Sequence, residues 1–368
     1  MIIYFLMVVY VFLIGVIAKQ RVVNGASVSK NNNYTNLVFA VLIFALPIFF
    51  IGFRTNVADT SGYINSFLAQ KTVFPDLSNG IFASRGMGWD IYAWFIKKFI
   101  TNDPYVFLFI TAIIQAGALI KFYYNYSTNY PYSVLLFFLS CSFTMMINGL
   151  RQMLATCLIL YFSRYIFEKK YVRFLFVVFL AMTVHLSAIV WVPFVFIVQG
   201  KPGNIKTIIF GIIVIFAVVF TDQFTSILSD AISDTSYAGY TNQFQKDDGS
   251  NIFHTLIAIV PLVVAFIGRD KLKGLNDKIT YILMNIAIVN VFLNLLANFT
   301  SGILMGRLTG YFSLLIYALF PRMFDQLFNE KIQHELYLWC AIGHLAYFLY
   351  YLFSQHIVYN SIPLHINL

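Results

Sequence analysis

Long apolar runs alternate with short polar connectors along almost the whole chain. The runs fall at residues 2–17, 36–53, 104–124, 132–148, 151–167, 172–199, 205–220, 252–268, 280–298, 303–320 and 335–353. Several reach about 16–20 residues, near the length a helix needs to cross a bilayer. With no water to satisfy the backbone there, helices are the spanning form this pattern allows. It predicts an all-α integral membrane protein in which residues 1–368 form a single polytopic bundle of roughly 11–14 transmembrane or re-entrant helices. There is no repeat of fixed period, no low-complexity tract and no stretch that reads as a separate soluble domain.

The connectors predict which side each run faces. Ile2 to Ile17 has no basic residue before it and is followed by Lys19, Gln20 and Arg21. A cleavable signal would need a basic start and a small-residue site, so this run reads as a first spanning helix. Lys19 to Lys30 is basic and is placed in the cytoplasm. The second run then emerges at Arg54, which makes residues 54–86 an external loop. Arg269, Lys271, Lys273 and Lys278 form the most basic connector and Arg322 lies on the same, inner side. The acidic, Ser/Thr-rich stretch Thr221 to Ser250 is read as external, and the C-terminus also faces out.

The middle allows two arrangements. If Gly86 to Ile100 spans, Arg151 faces the cytoplasm and the basic turn Lys169–Arg173 faces out, against the positive-inside rule. If it lies along the outer interface, Arg151 faces out and the basic turn faces in. We prefer the second arrangement. It needs residues 172–199 to form two short helices, and His185 and Pro193 make a broken segment plausible.

Composition narrows the class further. Hydrophobic residues make up 60% of the chain and charged residues 11%, too little polar surface for a soluble protein of this length. The net charge of +9 is assigned to cytoplasmic connectors held against anionic lipid, with arginines left over for an anionic ligand, and not to nucleic acid. Cys141, Cys157 and Cys340 lie within apolar runs without metal-ligand spacing and read as small core- or lipid-facing residues.

Ionisable residues inside or beside such runs are costly and mark candidate chemistry. Arg54 ends the second run and serves either as a snorkelling anchor or, with Asp59 five residues on, as part of a pocket. Arg151 follows the helix-start or turn signal Asn148-Gly149 and is either an interface anchor or, with the free first-turn N–H groups, an anion site of the phosphate-binding kind. Gln152 stands beside it. His185 is either a hydrogen-bonded core histidine or a group able to donate to phosphate or move a proton, and Ser187 follows it. Arg307, flanked by Gly306 and Gly310, precedes Tyr311 by one turn on the same face. Arg85 is a lower-ranked candidate, and the remaining histidines are assigned nothing. Clustered arginines at one face of the membrane imply a ligand with clustered negative charge, such as a pyrophosphate on a lipid carrier.

These residues resemble a known family. Arg54-Thr-Asn-Val-Ala-Asp59-Thr60-Ser-Gly-Tyr63 resembles the Arg…Gly-Thr-Asp-Thr…Tyr signature of the EpsG-like, Wzy-type polysaccharide polymerases. Leu150-Arg151-Gln152-Met-Leu-Ala155, the Glu168-Lys169-Lys170 break and Ala181-Met-Thr-Val-His185-Leu-Ser187-Ala188 resemble its central block. Gly306-Arg307-Leu-Thr-Gly-Tyr311-Phe312 is similar to its late arginine–tyrosine element. Val57-Ala58 departs from the Gly-Thr that usually precedes the aspartate.

The resemblance implies a bundle similar to multi-spanning C-type glycosyltransferases, sitting in the bacterial cytoplasmic membrane with its active site outside. It implies a glycosyltransferase that joins undecaprenyl-pyrophosphate-linked oligosaccharides into capsular polysaccharide or exopolysaccharide. In that reading Arg54, Arg151 and Arg307 clamp pyrophosphate and His185 or Asp59 accepts the acceptor's proton. Gln152, Tyr63, Tyr311, Ser187 and Arg85 orient substrate. Partners would be the lipid-linked oligosaccharide, the bilayer, and a flippase and chain-length regulator of the same pathway. No cofactor or metal is implied, though a divalent ion bridging the pyrophosphate is compatible. The alternatives are a lipid-linked glycan flippase, a glycan ligase with a different acceptor, and a membrane acyltransferase.

Overall fold

The computed structural model describes residues 2–24, 33–76, 86–232, 250–300, 302 and 305–354. In chain order the helices are α1 (Ile2–Asn24), α2 (Asn33–Gly52), α3 (Thr60–Ala69), α4 (Met87–Phe99), α5 (Pro104–Tyr126), α6 (Tyr130–Leu139), α7 (Leu150–Tyr161), α8 (Arg164–Phe167) and α9 (Tyr171–Val184). They continue as α10 (Trp191–Ile197), α11 (Ile205–Val219), α12 (Thr221–Ile232), α13 (Ile252–Ile267), α14 (Arg269–Gly274), α15 (Lys278–Phe299), α16 (Met305–Ile316), α17 (Leu319–Leu327) and α18 (Glu330–Ser354). Among the described residues α5, α15 and α18 are each long and apolar enough to cross a membrane, and seven shorter helices are apolar too. The chain is an all-α membrane protein, as the hydropathy pattern predicts.

Short polar side chains start the buried helices. Asp103 accepts from Tyr105 N at 2.7 Å with Pro104 opening α5, and Asn204 accepts from Lys206 N at 2.9 Å to open α11. Asn251 does the same for α13 at 3.0 Å, and Asp277 for α15 at 2.9 Å. Each cap satisfies a first-turn donor that would otherwise stay bare, worth about 1 kcal/mol.

Several apolar runs are not single helices. The run 132–148 breaks after Leu139, where Cys141 takes a left-handed conformation (φ 59°) and a 3₁₀ turn, Ser142–Met146, follows. The run 151–167 divides into α7 and α8, and 303–320 into α16 and the start of α17. The run 172–199 breaks at His185, where the sequence places an interruption, and resumes through a 3₁₀ turn, Leu186–Val190, into α10. Thr221, the first residue of the acidic stretch after the run 205–220, begins a helix, α12, bent by 101° from α11. Its Phe224 and Leu228 pack on a core of Val214, Ala217, Leu296, Ala297 and Met305, which gives the segment an apolar face to bury.

The described chain forms two compact units, each assembled from separated stretches. The first comprises residues 1–163, 179–186 and 336–368. In it α1 packs on α2 and α6, α2 on α5, and α5 on α7. Rings fill the interior: Phe44 meets Phe137 and Phe138, and Phe67 stacks on Phe107 at 4.3 Å. The second comprises residues 164–178 and 187–335. There α15 is the central helix, with α11, α13, α16 and α17 packed on it.

An ion-paired cluster ties α15 to α17 in that second unit. Arg322 pairs with Asp277, and Gln326 Nε2 donates to the same carboxylate at 2.7 Å. The Thr280 hydroxyl lies 2.9 Å from Asp277 and from Gln326, and accepts from Arg322 Nε at 3.0 Å.

Candidate functional site

Arg54 lies just beyond the end of α2 and is fully buried, 1% exposed. Its Nε donates to Thr60 Oγ1 at 3.0 Å, Nη1 to the Ile51 carbonyl, and Nη2 to the Ile147 carbonyl at 3.1 Å. None of these acceptors carries charge, so a net positive charge stands in the interior of the first unit. Burial lowers the guanidinium pKa to about 10, with Tyr63 and Tyr4 acting the other way; it remains protonated at neutral pH. The fork therefore does two things. It fixes the loop between α2 and α3 to the segment leading into α7, and it supplies a local positive field.

That segment carries Arg151. Gly149, at φ 91°, occupies a left-handed position that glycine takes without strain, and α7 begins at the next residue. Arg151 is half-buried and Gln152 is buried, both in the first turn, as the Asn-Gly signal predicts. Its N-cap residue, Gly149, has no side chain to cap the first turn. Just before it, Asn148 Oδ1 is buried without a hydrogen-bond partner.

The loop Arg54 holds also carries Asp59 and Tyr63. Asn56 and Ala58 adopt φ of 47° and 48°, an uncommon conformation for residues other than glycine. Asp59 stands exposed at the start of α3 and makes no capping bond there. Tyr63 sets its ring edge-on to Trp89 of α4 at 5.9 Å. The start of α4 in turn presses on the end of α9. A Cβ at Gly86 (φ 81°) would meet the Thr183 carbonyl oxygen at 2.5 Å, and one at Gly88 would collide with the Thr183 side chain. Two residues beyond Thr183 is His185, half-buried at the break, its N–H closing α9 on Ala181 O at 2.9 Å. Arg54, Asp59, Tyr63, Arg151, Gln152 and His185 thus all belong to the first unit, linked by contacts through Thr60, Ile147, Trp89 and Thr183.

Ser187, Arg307 and Tyr311 belong to the second unit. The Ser187 and Tyr311 hydroxyls are 3.0 Å apart. Tyr311 is fully buried, whereas Arg307, in the first turn of α16, is exposed. Phe312 fixes α16 against Trp191 at 4.7 Å and Phe194 at 5.1 Å. Gly306 has only ordinary contact nearby, with Ser250 at 3.9 Å from a built Cβ, so packing does not demand glycine there. Arg85 lies outside the described residues. The cysteines are free, with Cys141 and Cys157 buried and Cys340 partly so.

Comparison of the chain with curated proteins and with solved structures gives no match. A family model, by contrast, matches residues 37–364, nearly the whole chain and every candidate residue above. The chain belongs to the EpsG family, a Wzy-like family of polysaccharide polymerases.

Proposed function

We propose that the chain polymerises undecaprenyl-pyrophosphate-linked oligosaccharide repeat units at the outer face of the bacterial cytoplasmic membrane, making capsular polysaccharide or exopolysaccharide. The growing glycan on its lipid pyrophosphate is the donor. A hydroxyl of the next lipid-linked unit attacks the donor's anomeric carbon. The new glycosidic C–O bond forms as the bond to pyrophosphate breaks, the lipid pyrophosphate leaves with the electron pair, and the hydroxyl proton passes to His185 or Asp59. The reading calls for no cofactor.

The observation that carries it is the join between Arg54 and Arg151. A buried guanidinium bound only to uncharged oxygens holds the Ile147 carbonyl, four residues before a second arginine in a first turn whose N-cap residue is a glycine. Preformed positive charge, with helix N–H groups at hand, stabilises negative charge as it develops on a leaving phosphate. Arg151 makes the contact in this reading and Arg54 sets its frame and its field. Arg307 is the corresponding candidate of the second unit, with Tyr311 and Ser187 positioning sugar or phosphate there. Gln152 and Tyr63 orient the substrate in the first.

Replacing Arg151 by Lys keeps the charge and loses the two-pronged geometry. In cells lacking the native gene, the R151K protein should reach wild-type levels in the membrane while polymer formation falls by roughly 10²-fold. Single repeat units should accumulate on lipid. Full-length polymer from R151K at normal yield would remove Arg151 from the site and the pyrophosphate reading with it.

A further inference from the structure

Four asparagines interrupt the apolar helix α15, and they do not behave alike. Asn285 is satisfied on both sides of its amide. Its Nδ2 donates to the carbonyls of Val198, Gly200 and Lys201 at 3.0–3.3 Å, and its Oδ1 accepts from Gly203 N at 3.1 Å. That is a structural asparagine, holding the turn after α10. Asn290, Asn294 and Asn298 follow at intervals of four, which places them on one face. Asn290 and Asn294 are 3% and 5% exposed. Asn294 Nδ2 donates along the helix to the Asn290 carbonyl at 2.8 Å, and Asn298 Nδ2 reaches Thr255 Oγ1 of α13 at 2.7 Å. The side-chain oxygens of Asn290 and Asn298 are buried with no partner. A buried carbonyl left bare lowers stability and calls for an explanation.

The row has a direction. Ser250 N donates to the Ala297 carbonyl at 3.0 Å, and the Ser250 side chain lies beside Gly306. Asn298 therefore stands at the Arg307 end of the second unit, partly exposed, and the row sinks inward to Asn290 over about 12 Å at 1.5 Å per residue. Opposite it, the buried face of α13 is made of Thr255, Ala258, Pro261, Val264 and Ala265. Pro261 has no N–H to give, so the Ile257 carbonyl loses its usual helical donor. The two bare side-chain atoms of this row are both acceptors. They repel phosphate oxygens and call for a ligand that donates many O–H groups.

We propose that Asn290, Asn294 and Asn298 form a hydroxyl-binding track for the glycan, leading inward from the Arg307 end. The proposal rests on the polymerase reading for its ligand and assigns the glycan to carboxamides where that reading assigns pyrophosphate to arginines. A packing role alone would satisfy these amides as Asn285 is satisfied.

The test uses N290L and N298L, each with the same number of side-chain heavy atoms as asparagine and free of the bare oxygen. The full-length protein in detergent is mixed with the delipidated repeat-unit oligosaccharide, and saturation transfer from protein to sugar protons is recorded. Wild type should give the transfer signal, and both variants should lose about tenfold in affinity, with N290L unfolding at or above the wild-type temperature. In complemented cells both should yield shorter polymer. Unchanged transfer in the variants overturns the track. So does a fall in the unfolding temperature of N290L that accounts for its loss, since that is the behaviour of a packing group. Absence of polymer from cells carrying the wild-type protein, with the transfer signal intact, sinks the polymerase reading and leaves the track standing.

Discussion

Arg54 shows how far one residue can be read in advance. That a charge closes a greasy run is plain from the sequence; what it touches is not. One of its three acceptors, the Ile147 carbonyl, lies 93 residues away and exists as a partner only once α2 and the start of α7 are brought together. The side chain expected to reach outward is 1% exposed and committed to its own unit. Arg151 was more legible, because Asn148-Gly149 specifies a helix start locally. The two arginines therefore call for different outcomes on substitution. Lysine at position 54 places a single ammonium where a planar fork bridges three oxygens, leaving at least one buried carbonyl bare. R54K should lose about 2–3 kcal/mol of stability, seen as a lower unfolding temperature in detergent and less protein in the membrane. R151K should leave unfolding unchanged. An R54K protein as stable as wild type would remove the latch.

At the scale of elements, hydropathy located the longer helices, since burial and lipid exposure both reward apolar runs, while α3, α4, α12 and α14 fall outside those runs. It could not locate the breaks inside those runs. Cys141 adopts φ 59° in the middle of an apolar stretch with no proline or glycine to announce it. Thr221 to Ile232 stands out in the sequence only as acidic and Ser/Thr-rich, and its helix makes sense once the apolar pair Phe224 and Leu228 finds a core to cover. The asparagines of α15 were visible as letters, but only their bonding separates Asn285 from Asn290. The Asp277 cluster was invisible for the same reason, joining residues 45 apart. Burial by itself would raise the Asp277 carboxyl, but Gln326, Arg322 and Thr280 outweigh it and hold it at about 2. Such a depressed carboxyl contributes fully above the unfolded value of about 3.9, and the contribution is lost as pH falls toward the folded value. D277N should accordingly unfold at a lower temperature than wild type at neutral pH. The gap should narrow as pH drops below about 4. A gap that stays constant down to pH 3 would mean that the carboxylate's charge does not hold α15 to α17.

At the scale of the whole molecule sidedness turns on whether α4 spans. With 13 residues it extends about 20 Å, against roughly 30 Å of hydrocarbon. It is also tied to its predecessor. Lys97 Nζ donates to the carbonyls of Phe67 at 2.9 Å and Leu68 at 2.7 Å, closing the end of α3. A helix held at its last turn by a segment of the loop after α2 has little freedom to cross to the opposite face. If α4 stays with α3 outside, α5 enters from the outer side, Arg151 lies at the outer end of α7, and the Glu168–Lys170 turn reaches the cytoplasm, where its lysines are favoured. Lys71, Lys170 and Lys273 are exposed and can each carry a cysteine in a chain whose own three are replaced. A thiol reagent that does not cross membranes, applied to intact cells, should label K71C and spare K170C and K273C until the membrane is opened. Labelling of K170C in intact cells would put Arg151 on the cytoplasmic side, beyond reach of a pyrophosphate presented outside.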